Sequence, residues 1–111
     1  MAYNERLAQR THEVLKDIPG LVEKKMFGGI GYLLNGNMAC GVNGDHLIVR
    51  LSEADSMNAL ALPYVHVFDM TGRPMKGWIT VEASGIANND DLKAWIERGL
   101  QYAQGLPSKQ A

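Results

Sequence analysis

The sequence has little of several features, and each shortage argues against a class of protein. It holds one cysteine, Cys40, so no disulfide can form within the chain, and this thiol usage is typical of a reducing compartment such as the cytoplasm. No apolar run approaches the ~20 residues of a membrane-spanning helix. The opening stretch MAYNERLAQR lacks the apolar segment of a secretory signal. We therefore expect a cytoplasmic protein that makes no membrane contact.

Excess charge of either sign is also missing. The formal net charge is −1, so the chain as a whole lacks the basic field of many nucleic-acid-binding proteins, although a local basic patch is compatible with it. The 111 residues are 46% hydrophobic and 21% charged, which is ordinary for a globular chain and enough for a core without disulfide or metal. The sequence predicts a single domain over residues 1–111.

What the chain does have is a strong hairpin pattern between Lys25 and Leu51, which predicts three antiparallel strands. Asn35-Gly36 lies between two apolar runs, and Asn-Gly suits the type I′ turn because both central residues need a positive φ. A second turn is predicted at Gly44-Asp45. These two-residue loops set the expected pairs: Leu33 with Met38, Cys40 with Val49, Val42 with Leu47, and Met38 with Leu51.

Side chains alternate along a strand, so this register assigns each residue to a face of the sheet. The predicted core face carries Leu33, Met38, Cys40, Val42, Leu47, Val49 and Leu51. The predicted opposite face carries Ile30, Tyr32, Leu34, Ala39, Gly41, Ile48 and Arg50. The second face is more apolar than a solvated face should be. Two explanations stay open: a helix or loop covers part of it, or it is a subunit or partner interface.

Helices and further strands flank the hairpins. Apolar residues three and four apart predict helices from Asn4 to about Asp17, capped by Asn4, and from Asn89 to about Gln104, with Trp95 as a core anchor. Ser52 to about Ala59 is a short helix whose Met57 and Leu60 should point inward. Short strands are expected at Lys25 to Phe27, Tyr64 to Phe68 and Gly77 to Glu82. The predicted fold is α+β: an antiparallel β-meander sheet flanked by N- and C-terminal helices.

The residues show no catalytic constellation. His12, His46 and His66 are scattered, without the spacing of a metal site, so no metal and no cofactor are expected. Cys40 falls on the predicted core face, where a thiol is inert. Gly28-Gly29-x-Gly31 is followed by a strand rather than a helix, so these glycines are better explained by a bend than by a phosphate loop. The sequence therefore predicts a protein that is not an enzyme.

Basic side chains are the strongest candidates for a binding role. Those singled out as anion or partner contacts are Lys25, Arg50, Arg73 and Lys76, with Lys24 beside them. Arg73 and Lys76 bracket Pro74 in a stiff loop. If these charges converge they can bind an anion, a phosphate backbone or an acidic partner. Otherwise they form a solvated rim with ordinary ion pairs to Glu53, Asp55 or Asp69.

Several segments together resemble a known family. They are Met26-Phe27-Gly28-Gly29-Ile30-Gly31, the Asn-Gly hairpin, Leu47-Ile48-Val49-Arg50-Leu51 and Gly72-Arg73-Pro74-Met75-Lys76-Gly77-Trp78. They are similar to the N-terminal domain of the TfoX/Sxy family, bacterial proteins that include regulators of competence for DNA uptake. The resemblance covers about Leu7 to Leu100. It implies an α+β fold similar to secretion-chaperone-like and YjbR-like domains, and it supplies no catalytic residues.

The resemblance implies a regulatory protein-interaction module that acts through a protein partner or through self-association as a homodimer. The longer competence regulators carry a second, helical domain, for which the 111 residues leave no room. Two alternatives stay open. One is a nucleic-acid-binding protein that uses the local basic loop, and the other is a small-molecule-binding protein.

Overall fold

Residues 3–26, 29–69 and 74–107, which the computed structural model describes, form three helices and six strands. In chain order the elements are α1 (Glu5–Leu15), β1 (Leu21–Met26), β2 (Gly29–Leu34), β3 (Asn37–Asn43), β4 (His46–Arg50), α2 (Glu53–Ala59), β5 (Val65–Asp69), β6 (Pro74–Val81) and α3 (Asn89–Gln104). A 3-10 turn, Ala83–Gly85, lies between β6 and α3. The predicted α+β class is confirmed.

Each helix starts at a polar side chain that accepts a hydrogen bond from a backbone N–H in its first turn. Asn4 Oδ1 accepts from Leu7 N at 3.0 Å, and Ser52 Oγ accepts from Asp55 N at 3.1 Å. Asn88 does the same for α3. Such caps satisfy amides that have no partner inside the helix. The predicted starts of all three helices are confirmed, and α1 ends at Leu15, two residues before the predicted end.

The strands form one antiparallel sheet in the order β1-β2-β3-β4-β6-β5. Asn35 and Gly36 have φ values of 53° and 85°, as a type I′ turn requires, and Gly44 has φ 57°. Both predicted loops are thus confirmed, with the pairs Leu33–Met38, Cys40–Val49 and Val42–Leu47. The expected strand at Lys25 starts earlier, at Leu21, and Phe27 lies outside the described residues.

A β-bulge makes the predicted division into faces wrong in part. Between β2 and β3 the pairing steps from Tyr32–Cys40 to Leu33–Met38, so Ala39 is an extra residue on β3. An inserted residue inverts the alternation beyond it. Ile30, Tyr32, Leu34 and Ala39 consequently lie on the core face, and Leu33 and Met38 lie on the other. The expected Met38–Leu51 pair is not formed, since the β3–β4 ladder ends at Cys40 and Val49.

The core lies between one face of the sheet and the helices. Tyr32 is fully buried and its hydroxyl donates to the Ala8 carbonyl of α1 at 3.1 Å, which ties β2 to that helix. Trp95 of α3 is buried as predicted. In α2 the inward residues are Ser56 and Ala59, whereas Met57 is 66% exposed, so the prediction for Met57 is wrong. The buried core cluster comprises Leu7, Ala8, Leu15, Tyr32, Leu34, Ala39, Cys40, Val42, Leu47, Val49, Leu51, Ala59, Val65, Ile79, Val81, Ile86, Leu92, Trp95, Ile96, Leu100 and Ala103.

Candidate functional site

The sheet face opposite the helices is the candidate functional site, and we call it the open face. Ile48 is buried, yet it is not part of the core cluster, because it lies on this second face. In the part of the chain that the structure describes, no helix packs on this face. By strand alternation the open face carries Val22, Lys24, Gly31, Leu33, Met38, Gly41, Asn43, His46, Ile48, Arg50, His66, Trp78, Thr80 and Glu82.

One row of residues crosses all six strands of the open face. The pairs Lys24–Gly31, Gly31–Gly41, Gly41–Ile48, Ile48–Thr80 and Thr80–His66 follow one another from edge to edge. A charged side chain stands at one end and an imidazole at the other, with small or apolar residues between them. The buried Gly31, Gly41 and Ile48 form the floor of the centre, so the accessible apolar surface of the face comes from Val22, Leu33 and Met38, while its edges offer polar recognition.

The two halves of the open face differ in shape and exposure. Over β4, β6 and β5 a shallow groove of about 500 Å³ is lined by Asn43, His46, Ile48, His66, Val67, Phe68, Thr80 and Glu82. Ile48, only 5% exposed, lies in this groove. Over β1 to β3 the Met38 methyl group lies against Gly41, where a Cβ would come within 2.7 Å of it, and Val22 is 59% exposed. Exposed apolar surface next to a groove favours docking of another molecule.

The polar end of the groove is built by a contact between a histidine of β5 and the glutamate that follows β6. His66 Nε2 lies 2.9 Å from Glu82 Oε2, and both side chains are about half exposed. Asn43 and His46 face each other at the same end of the sheet. No cluster of three or more metal-binding side chains occurs within residues 3–26, 29–69 and 74–107.

Arg50 lies at the other end of the sheet, against aromatic rings. Its guanidinium carbon is 5.2 Å from the ring centre of Trp78 in β6 and 5.5 Å from that of Tyr102 in α3. Phe68 stacks beside Trp78 at 6.2 Å. Both distances from Arg50 are in the range of cation–π attraction. Arg50 thus links the sheet to the last turns of α3.

The structure separates two of the predicted basic residues, Lys25 and Arg50. Lys25 is exposed on β1, three strands and about 14 Å across the sheet from Arg50 on β4. Lys25 is also on the helix side of its strand, since it pairs with Ile30. Lys76 belongs to β6 (Pro74–Val81), and Arg73 lies outside the described residues. A role of these four residues in binding stays a prediction.

The Cys40 thiol and two of the histidine side chains lie in different surroundings. Cys40 is fully buried, and its burial raises the pKa of the thiol to about 12. A thiol in this state is a poor nucleophile at neutral pH, as predicted. His12 and His66 are exposed, and each lies beside a glutamate: His12 Nδ1 is 2.6 Å from Glu23 Oε1, whereas His66 contacts Glu82 through Nε2. Neither pair lies in an enclosed site.

Sequence reasoning missed three parts of this site. Met38 was expected in the core, because nothing in the sequence marks Ala39 as a bulge. The His66–Glu82 pair requires β5 and β6 to be adjacent, and Arg50 meets Tyr102 from 52 positions away. The sequence did give one indication of this site, because the strand face with Gly41 and Ile48 is unusually apolar. A partner interface was one of the two explanations given for that apolar character.

The architecture defines the class: an α+β domain in which an antiparallel six-stranded sheet holds helices on one face and leaves the other open among the described residues. The chain belongs to the TfoX N-terminal domain family, whose model matches residues 13–103. Comparison with curated proteins and with solved structures found no match. The implied YjbR-like similarity therefore stays a prediction. No helix of the described residues has the length and apolar character needed to cross a membrane.

Proposed function

We propose that this chain is a non-enzymatic regulatory module that makes a protein–protein contact through its open face, in the cytoplasm and in the control of competence for DNA uptake. Membership of the TfoX N-terminal domain family supports the regulatory role. The observation that carries the proposal is the open face itself. Its half-buried Leu33 and Met38 and its exposed Val22 lie together on a face on which no helix of the described residues packs.

The chemistry of the face supports binding rather than catalysis. Its central row is made of glycine, isoleucine and threonine, which provide shape and apolar contact but no proton transfer. The titratable groups are at its edges and are open to solvent, as the His66–Glu82 pair shows. The buried Cys40 thiol, with its raised pKa, lies on the opposite side of the sheet. These features are typical of an interface with an apolar centre and a polar rim.

A genetic experiment tests the proposal in the bacterium from which the chain comes. The gene is deleted, and transformation frequency is measured with wild-type, Met38→Asp or Met57→Asp copies returned at equal expression. Deletion should lower the frequency, and wild type and Met57→Asp should restore it, because exposed Met57 lies on α2 and away from the open face. Met38→Asp should fail to restore it, since a carboxylate in an apolar contact is left unpaired.

Circular dichroism of the purified variants shows whether Met38→Asp is folded. Transformation that is unchanged on deletion would remove the competence assignment. Full restoration by Met38→Asp would show that the open face is not the contact surface.

A further inference from the structure

We propose that two copies of this chain associate through their open faces, about a two-fold axis that runs parallel to the strands between β3 and β4. The inference rests on the proposed function in taking the open face as the contact surface. It adds the occupant of that face, which is a second copy of the same chain.

The shape of the face supports this pairing. The half formed by β1, β2 and β3 carries Met38, whose methyl group lies against Gly41, while the groove in which Ile48 lies is lined mainly by β4, β6 and β5. Each half contains three strands. A two-fold axis between the halves therefore places the Met38 side of one copy over the groove of the other.

The row of paired residues also fits this symmetry. A two-fold axis between β3 and β4 places β3 over the partner's β4, β2 over the partner's β6 and β1 over the partner's β5. Gly41, covered by the Met38 methyl group, then faces the partner's Ile48, and Gly31 faces the partner's Thr80. Methionine adapts to an irregular groove because its side chain is unbranched and polarisable.

The charges at the two edges of the face are complementary as well. The same axis brings Lys24 to the edge of the sheet that carries the partner's His66 and Glu82. Lys24 is exposed and forms no ion pair with the residues that the structure describes, while Glu82 remains about half exposed beside His66. Face-to-face sheets stand about 10 Å apart, a gap that a lysine and a glutamate side chain can bridge together. The symmetry forms this contact twice.

Sedimentation equilibrium of the full chain at about 1 to 300 μM measures the association. We expect a monomer–dimer equilibrium for wild type. Lys24→Glu and Glu82→Lys should each raise the dimer Kd by about tenfold, because each creates two like-charge contacts. An equimolar mixture of the two variants should recover a Kd within about threefold of wild type, since both contacts are then of opposite charge again.

Met38→Asp should weaken the dimer further, and Met57→Asp, on the helix side, should leave it unchanged. Lys24 and Glu82 are solvent-exposed, so the charge reversals keep the test decisive even where Met38→Asp fails to fold. A chain that stays monomeric at 300 μM overturns the proposal. A dimer whose Kd is unchanged by Lys24→Glu and by Glu82→Lys overturns it as well, and so does a mixture of the two variants that shows no recovery. In either case the dimer forms through a surface other than the open face.

The sedimentation and transformation experiments can fail independently of each other. A monomeric chain whose Met38→Asp variant still fails to restore transformation would keep the open face as a contact surface and replace the second copy by another protein. A dimer with the expected charge dependence, in a bacterium whose transformation does not change on deletion, would keep the dimer and remove the competence role.

Discussion

Gly99 of α3 lies directly against the backbone carbonyl of Ala39 in β3. A Cβ at Gly99 would overlap the Ala39 oxygen and would also come within 3.3 Å of Val49 Cγ1. The helix thus reaches the sheet at the point where the bulge turns Ala39 toward the core. Only glycine lets the two backbones approach this closely.

Gly99→Ala should lower the free energy of unfolding by about 1–3 kcal/mol, because the new methyl group forces α3 away from β3. This loss outweighs the gain of about 1 kcal/mol that alanine normally brings inside a helix. Gly105→Ala is the matched control: Gly105 caps the same helix with φ −77°, and a Cβ there would meet nothing nearer than 3.5 Å. Urea unfolding followed by circular dichroism measures both, and equal stabilities of the two variants would contradict the close approach.

Arg10 ties α1 to the segment before α3, and its loss should destabilise the fold. Its guanidinium donates to the carbonyl of Ile86 at 2.8 Å and to Asn89 Oδ1 at 3.0 Å. Arg10→Ala should lower the free energy of unfolding by about 1–2 kcal/mol, since those acceptors lose a charged donor. Arg6→Ala, an exposed position on the same helix, should change it by less than about 0.5 kcal/mol.

Arg10→Lys shows whether the shape of the Arg10 guanidinium or only its positive charge stabilises the fold. An ammonium group cannot reach both acceptors as the planar guanidinium does, so lysine should recover only part of the loss. Full recovery in thermal or urea unfolding would indicate that charge alone matters at this position.

Cys40 should react with a thiol reagent only when the protein opens. Burial raises its pKa from 9.0 to about 12, so at pH 8 roughly a thousandfold less thiolate is present than for an ordinary cysteine. Labelling of native protein with a chromogenic disulfide should be far slower than labelling in urea, with free glutathione as the control. A rapid phase of one equivalent in native buffer would contradict the buried position.

The same pKa shift predicts how stability depends on pH. The native state keeps Cys40 protonated up to about pH 12, whereas the unfolded state loses this proton from about pH 9. The unfolded state then binds fewer protons, so the contribution of the thiol to stability is complete below pH 9 and declines as pH rises toward 12. A Cys40→Ala variant should show a smaller decline over this window in urea unfolding.

Duplex DNA should not bind with saturable affinity, because Lys25 and Arg50 lie three strands apart and Arg50 already lies against two aromatic rings. Fluorescence anisotropy of labelled duplex at about 50 and 200 mM salt measures this, since phosphate-driven binding weakens steeply over that range. The double reversal Arg73→Glu with Lys76→Glu should leave the signal unchanged. Salt-sensitive binding that disappears in the double variant would favour the nucleic-acid alternative.

The sequence by itself determined the features that depend on a few neighbouring residues. The turn at Asn35-Gly36 follows from the positive φ that these two residues tolerate, and the helix starts at Asn4 and Ser52 follow from a hydrogen bond to an amide three positions on. The alternation of Val42, Leu47 and Val49 toward the core was also readable.

Only the tertiary structure decided which side of the sheet faces the helices along β2 and the start of β3. One extra residue, Ala39, inverts the alternation of side chains, and it turns Tyr32 inward and Met38 outward. The contacts of Arg50 with Tyr102 and of His66 with Glu82 were likewise decided by strand order and helix packing. Such contacts join residues far apart in the chain, and no local preference encodes them because they form only when the whole sheet is in place.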